Sequence, residues 1–117
     1  MPDRLPALFA AIDARDAHAF ASFLCPDVEF IFANAPPLRG RELARAAVAG
    51  FFSSLAGLHH EVTENWQSGD NLIMRGQVTY TRHDDSQLCV PFANFFKLRD
   101  GLIGEYRIFG DFSALAD

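Results

Sequence analysis

The chain has little of what identifies several large classes of protein. Its two cysteines, Cys25 and Cys89, stand in no Cys-x-x-Cys spacing, so we expect two reduced thiols and no disulfide framework. Ten Lys and Arg against fifteen Asp and Glu leave a net charge of −5, which argues against a nucleic-acid partner. No apolar run approaches the roughly 20 residues needed to cross a bilayer, so we expect no membrane association.

Motifs for metals, cofactors and export are missing as well. His59 and His60 are neighbours in a predicted strand, where their side chains point to opposite faces and cannot chelate one ion together. His18 and His83 complete no metal-ligand spacing, and no glycine-rich phosphate loop or Ser-His-Asp arrangement is present. Residues 1–6 lack the cationic and apolar segments of a secretory signal. We therefore expect no metal, no cofactor and a cytoplasmic location.

Aromatic bulk is what the chain does have. Of its 117 residues, half are hydrophobic and twelve are Phe. That length supports one core but not two, so we expect a single domain over residues 1–117. So much aromatic volume either fills the core or lines an apolar cavity.

Apolar residues recur at helical spacing in the first half of the chain. The first group predicts an amphipathic helix over about residues 3–15, and its members are Leu5, Leu8, Phe9 and Ile12. Asp16 is placed to cap a second helix over residues 17–24, which a turn at residues 25–27 ends. A third helix is predicted over about residues 41–56. Its predicted buried face carries Leu43, Ala47, Phe51, Phe52 and Leu55.

Alternating apolar residues predict five strands, over residues 28–33, 59–68, 71–83, 87–98 and 102–111. Short polar groups of hairpin type separate the last four strands, which we therefore expect to form an antiparallel meander. Helices first and a long meander after them indicate an α+β fold, with the helices packed on one face of a curved sheet.

An amide interrupts the apolar face of the fourth predicted strand. Asn94 lies in the middle of that inward row, and a buried carboxamide without a partner costs about 1–3 kcal/mol. Two explanations stay open: Asn94 contacts a ligand, or it is a structural amide bonded to Tyr80, Tyr106 or a water. The other inward residues that we expect to line a pocket are Phe32, Met74, Val78, Phe92 and Ile108.

The two tyrosines of the chain share this inward parity. With Asn94, Tyr80 and Tyr106 make a sparse polar cluster in an apolar surrounding, which is the usual makeup of a small-molecule site. Each phenol alone is better explained as a core residue whose hydroxyl reaches the rim, and it is their convergence with Asn94 that indicates a site.

Two carboxylates are further candidates for proton transfer. Inward parity on the first meander strand places Glu64 and Trp66 on the pocket wall, where burial would suit Glu64 to general acid–base work. A one-residue bulge would turn both outward. Asp111 follows the last strand and is either an acid or base at the pocket mouth or a cap of the following turn.

The order and spacing of several short motifs resemble the nuclear transport factor 2-like superfamily, and within it the SnoaL-like branch that includes polyketide cyclases. These motifs occupy residues 13–16, 26–30, 38–41, 90–96 and 106–111, and the resemblance runs essentially end to end. It implies a cone-shaped, cystatin-like roll in which a bent sheet wraps three helices around an apolar pocket. It also implies a homodimer joined through the outer face of the sheet.

The activities found in this superfamily transfer only residue by residue. Ketosteroid-isomerase relatives use a Tyr, an Asp base and a protonated Asp, and Leu8, Phe32 and Asn94 stand at those positions. The Asp-Arg-Asp set of epoxide-hydrolase relatives is absent from the inner row.

What the resemblance still implies is a pocket for a small apolar molecule. The protein would be a cofactor-free isomerase, cyclase or lyase acting beside a carbonyl, with Asn94 stabilising the electrophile. Tyr80, Tyr106, Glu64 or Asp111 would handle protons. The alternative is a non-catalytic ligand-binding or protein-association module of the same fold.

Overall fold

The computed structural model describes residues 2–116. A 3₁₀ turn (Pro2–Arg4) leads into the first helix, and another (Ser113–Ala116) follows the last strand. Between them the elements are α1 (Leu5–Asp13), α2 (Ala17–Ala21), β1 (Leu24–Phe32), β2 (Leu38–Arg39), α3 (Arg41–Ser53), β3 (Gly57–Ser68), β4 (Asn71–Thr81), β5 (Gln87–Arg99) and β6 (Leu102–Phe109). None of the helices within these residues is long and apolar enough to span a membrane.

The six strands form one curved, mixed sheet in the order β2-β1-β6-β5-β4-β3. Strands β3 to β6 are the predicted antiparallel meander, and β1 joins its free edge by pairing in parallel with β6. The α+β prediction is confirmed. We call the sheet face that packs against the helices the inner face, and the opposite one the outer face.

The N-terminal helices follow the sequence pattern, with one boundary error. The apolar stripe of α1 is buried, and the Asp16 side chain caps α2 by accepting from the Ala19 amide at 3.0 Å. The predicted turn at residues 25–27 is wrong, because α2 ends at Ala21 and those residues already belong to β1. A break in the β1–β6 register between Leu24 and Glu29 absorbs Pro26, which has no amide to donate.

Helix α3 is rotated from its predicted orientation. Phe52 and Leu55 are buried as expected, but Leu43 is 58% exposed and Ala47 also faces out. Ala44 is fully buried instead. Small side chains allow close approach of packed elements, so the Ala44 side of the helix packs against the core more closely than a Leu stripe would.

A bulge in β3 reverses the predicted row at its far end. The β3–β4 register shifts between Val62 and Glu64, opposite Gly76, where a Cβ would lie 1.8 Å from the Glu61 carbonyl oxygen. Only glycine permits this backbone approach. The prediction that Glu64 and Trp66 face inward is therefore wrong.

Candidate functional site

A small cavity lies between the inner face of the sheet and all three helices. We call it the central cavity, and its volume is about 60 Å³, room for a few water molecules. Seven residues predicted to form the site line it: Phe32, Val78, Tyr80, Phe92, Asn94, Tyr106 and Ile108. Met74 is fully buried but is not among the lining residues.

Asn94 is the buried polar residue of this wall. It is 3% exposed, and its cross-strand neighbours in the sheet are Met74 and Ile108, which are both apolar. Its Oδ1 atom has no hydrogen-bond partner among residues 2–116. The acceptor half of the carboxamide is thus left for a water or a ligand.

The two phenols stay protonated at neutral pH. Burial raises the pKa of Tyr80 well above its ordinary value. Burial, and then the neighbouring Tyr80, raises the pKa of Tyr106 in the same direction. In their neutral form both hydroxyls can donate a hydrogen bond into the cavity, but neither is a good base.

A histidine that the sequence analysis considered only as a metal ligand also lines the cavity. His60, on β3, has Nδ1 2.7 Å from Asp13 Oδ1, and its backbone amide donates to Asp13 Oδ2 at 3.0 Å. The ring packs between Phe9 and Phe92, with centroid distances of 5.0 and 5.2 Å. Inward parity at position 60 was the signal in the sequence, whereas the Asp13 partner, 47 residues away, had none.

His60 lines a second depression as well. Between α1 and β3 lies a groove of about 450 Å³, which we call the side groove. Asp13 lines the side groove but not the central cavity, and His60 lines both. The imidazole is therefore part of the wall between the two spaces.

Three phenylalanines close the central cavity on another side. Phe32 packs against Phe51 and Phe112, with centroid distances of 5.7 and 4.8 Å. All three also line an outer cleft beyond the cavity. These three side chains form the barrier between the cavity and the cleft.

Glu64, Trp66 and Asp111 lie outside the central cavity. On the outer face, Glu64 forms an ion pair with Arg75, and Trp66 is 49% exposed. Asp111 accepts from the amide and hydroxyl of Ser113 at 3.1 and 2.7 Å, and these bonds lower the pKa of its carboxyl. Asp111 is therefore the turn cap that the sequence analysis kept as an alternative.

The described residues form neither a metal-binding cluster nor a disulfide. Within residues 2–116, no three His, Cys, Asp or Glu side chains are grouped so as to hold a metal ion. Cys25 and Cys89 are both free thiols.

Comparison with known proteins places this architecture. The SnoaL-like domain family matches residues 5–106. A SnoaL-like protein from Jannaschia sp. CCS1, assigned to the polyketide cyclases, is 23% identical, with a TM-score of 0.84 over 98% of this chain and 88% of that one. No curated protein matches the chain.

Two other solved structures are similar over nearly the whole chain. TerC, co-crystallised with polyporic acid, is 20% identical, with a TM-score of 0.86 over 98% of this chain and 94% of that one. A protein of ketosteroid isomerase-like fold from Catenulispora acidiphila, in complex with trimethylamine, is 18% identical, with a TM-score of 0.88 over 97% and 88%. At such identities the likeness concerns the fold.

Proposed function

The chain belongs to the SnoaL-like domain family, and from that premise we propose that its central cavity binds a small, mostly apolar carbonyl compound. The protein would act on it as a cofactor-free isomerase, cyclase or lyase. One observation carries the proposal: the buried Asn94 Oδ1 has no partner within residues 2–116, although it lines an otherwise apolar cavity.

The cost of that arrangement supports a ligand. Leaving a buried acceptor unpaired costs about 1–3 kcal/mol, whereas a leucine at the same place would cost none of it. A polar group that weakens the fold is expected where it contacts a molecule from outside. The Phe-rich surroundings favour an apolar body for that molecule.

The polar groups of the cavity indicate which polar groups the ligand carries. Tyr80 and Tyr106 can donate to a carbonyl oxygen, and Asn94 can accept from a ligand hydroxyl while its amide donates to an enolate. Donors aimed at developing negative charge in a water-poor cavity are an effective means of electrostatic catalysis. The ligand thus combines a carbonyl with an apolar skeleton.

The size of the cavity sets a condition on binding. Ligand pockets commonly enclose about 300–1,000 Å³, which is far more than the 60 Å³ present here. A larger ligand must displace the barrier of Phe32, Phe51 and Phe112. We therefore expect binding to be accompanied by rotation of these rings.

The second candidate function is a non-catalytic module of the same fold. The small volume of the cavity favours it, as does the absence of the isomerase acid–base residues at Leu8 and Phe32. In that case the cavity either stays filled with water or takes a ligand without turnover.

The outer face supports a further part of the proposal, a homodimer. Trp66, Ile73 and Phe95 stand in register on β3, β4 and β5, and the row continues to Arg107 on β6. Exposed aromatic residues beside arginine are typical of protein interfaces. Sedimentation should give a dimer that Ile73→Glu dissociates, while Leu43→Glu, exposed on α3 away from the outer face, leaves it intact. We also propose a cytoplasmic location, which is consistent with two free cysteines and which cell fractionation tests.

A thermal-shift screen tests the cavity directly. The panel contains small ketones, lactones, polyketide-like aromatics and terpenoids. A ligand at about 100 times its Kd adds about 2.7 kcal/mol of apparent stability, which is several degrees for a domain of this size.

Two matched leucine variants make the screen specific. Asn94→Leu should weaken ligand binding by at least about tenfold and so remove the shift, because the unpartnered buried acceptor of the wall is lost. Asn71→Leu should keep the shift, since Asn71 also has an unpartnered Oδ1 but lies outside the cavity. Equal binding by both variants would contradict the proposal.

A further inference from the structure

We propose that His60 is the general base of this cavity and that Asp13 is its positioning residue. The inference rests on the proposed function, since it takes the bound molecule to be a carbonyl compound. What it adds is the group that abstracts a proton from the carbon next to that carbonyl. It also names a side chain for each role.

The contact with Asp13 determines the state of the imidazole. A carboxylate can only accept, so the 2.7 Å contact places the proton of the neutral ring on Nδ1. The Nε2 atom then carries the free lone pair. This pattern, a base whose second nitrogen is fixed by a carboxylate, is the one that prepares histidine for proton abstraction.

The position of the ring directs that lone pair. Nδ1 is bonded to Asp13, which lines the side groove and not the central cavity. The opposite edge of the ring carries Nε2, and because His60 also lines the central cavity, we infer that this edge contributes to its wall. The packing of Phe9 and Phe92 around the ring, together with the two bonds to Asp13, restrains it from turning.

Abstraction and return of the α-proton need no reactant other than the bound carbonyl compound and His60. Nε2 takes the proton from the α-carbon, the electron pair of the C–H bond forms the enolate double bond, and the carbonyl electrons move to oxygen. Hydrogen bonds from Tyr80 or the Asn94 amide stabilise that oxygen. The imidazolium then returns the proton to carbon, at the same position or at a conjugated one.

A base in an apolar cavity needs a path along which to exchange its proton with solvent. The His60 side chain is 11% exposed and that of Asp13 is 21% exposed. Both line the side groove, which is open to water. The pair therefore links the central cavity to the side groove, through which the base can exchange protons with solvent.

A purely structural role is the competing explanation, because the same contacts tie the end of α1 to β3. The two roles differ in what they predict for a carbon acid in the cavity. A structural tie affects stability alone, whereas a base also accelerates the exchange of α-hydrogens.

The experiment uses cyclopentanone in D₂O with the full chain. Loss of its α-protons is followed by ¹H NMR, and binding by amide shifts of Asn94 and Ile108. We expect the protein to accelerate exchange above buffer, and His60→Gln to reduce the enzymatic rate by about 100-fold or more with binding unchanged. His18→Gln, an exposed histidine on α2, should keep the full rate.

Asp13→Asn tests the positioning role and guards against misfolding of the first variant. An amide in place of the carboxylate can donate to Nδ1, which moves the ring proton to Nε2 and removes the base. We expect exchange to fall about as far as in His60→Gln, and the ¹⁵N shifts of the His60 ring to report the reversed tautomer.

The outcomes separate the two proposals. Binding of cyclopentanone without accelerated exchange, or full exchange in His60→Gln, overturns the assignment of the base and leaves the ligand site standing. Absence of binding at Asn94 and Ile108 rejects the proposed function and the base together. Exchange that is lost in both His60→Gln and Asp13→Asn, with binding retained, supports them both.

Discussion

Two polar side chains line the same cavity from the same sheet, and the protein supports them in opposite ways. His60 has an ionic partner that holds both its ring and its backbone amide. Asn94, two strands away in the sheet, has an Oδ1 without any partner within residues 2–116. The first arrangement adds to stability whether or not a ligand is present. The second costs stability until something binds.

That difference reflects two requirements that a binding site places on its polar groups, fixed orientation and recognition of an incoming molecule. A group that must keep one orientation needs a protein partner, whereas a group that must recognise an incoming molecule has to stay unpaired. Sequence position alone does not distinguish them, because both residues are simply polar residues in inward rows. The partner of His60 comes from a different element, α1, whereas Asn94 Oδ1 has no partner within residues 2–116.

The largest expected effect comes from breaking the strand geometry that places His60. Gly76→Ala puts a Cβ 1.8 Å from the Glu61 carbonyl oxygen, so β3 and β4 must separate at the bulge. We expect a loss of about 3 kcal/mol or more in the free energy of unfolding, measured in urea.

Gly50→Ala is the control for this substitution. It lies in α3 with open space around its Cβ position, so it should stabilise the protein by about 0.5–1 kcal/mol. Equal stability of the two variants would mean that the close approach at Gly76 is not as described.

Removing the support of His60 should have the next largest effect. Asp13→Ala deletes a charge-assisted hydrogen bond to the ring and another to the backbone, and we expect it to cost about 2 kcal/mol in urea unfolding. Glu61→Ala, an exposed carboxylate beside His60, should cost less than about 0.5 kcal/mol. If Asp13→Ala left the free energy of unfolding unchanged, the contrast between a supported His60 and an unsupported Asn94 would be lost.

At Asn94 we expect a substitution to leave the free energy of unfolding unchanged or to raise it, unlike Asp13→Ala. Asn94→Leu replaces an unpartnered acceptor with an apolar side chain in an apolar wall, so stability should stay within about 0.5 kcal/mol or increase. The measurement is again urea unfolding, without ligand. A loss of several kcal/mol, with ligand binding unchanged, would identify Asn94 as a structural amide.

The smallest effect is expected at Asp111, a polar side chain outside the cavity that is held by hydrogen bonds within its own turn. Hydrogen bonds from Ser113 lower the pKa of Asp111, so they favour the ionised form in the folded state. Their contribution is complete above the ordinary pKa of Asp and is lost as the pH falls through the lowered value. Ser113→Ala should raise the pKa of Asp111 in an NMR titration, and Ser53→Ala should not.

Strand parity predicted the inner face well wherever pairing is regular. Between Asn71 and Lys97 at one end and Thr81 and Gln87 at the other, β4 and β5 pair without a shift, and the row with Met74, Phe92 and Asn94 is buried as expected. On β3 the same rule failed after Val62, because a one-residue bulge turns every later side chain over. Residues 62–66 themselves contain no sequence signal for that bulge, because the glycine that permits it, Gly76, lies on the neighbouring strand.

The sequence by itself determined the three α-helices and five of the six strands, though not all their boundaries, as well as the α+β class, the burial of Asn94 and the capping role open to Asp111. These follow from periodicity and from side chains acting on their near neighbours. Only the tertiary structure decided that Glu64 and Trp66 face outward, that Asn94 lacks a partner and that Asp13 meets His60. Each of these depends on which distant residue lies within hydrogen-bond or contact distance. That is decided when the strands pair and the helices pack.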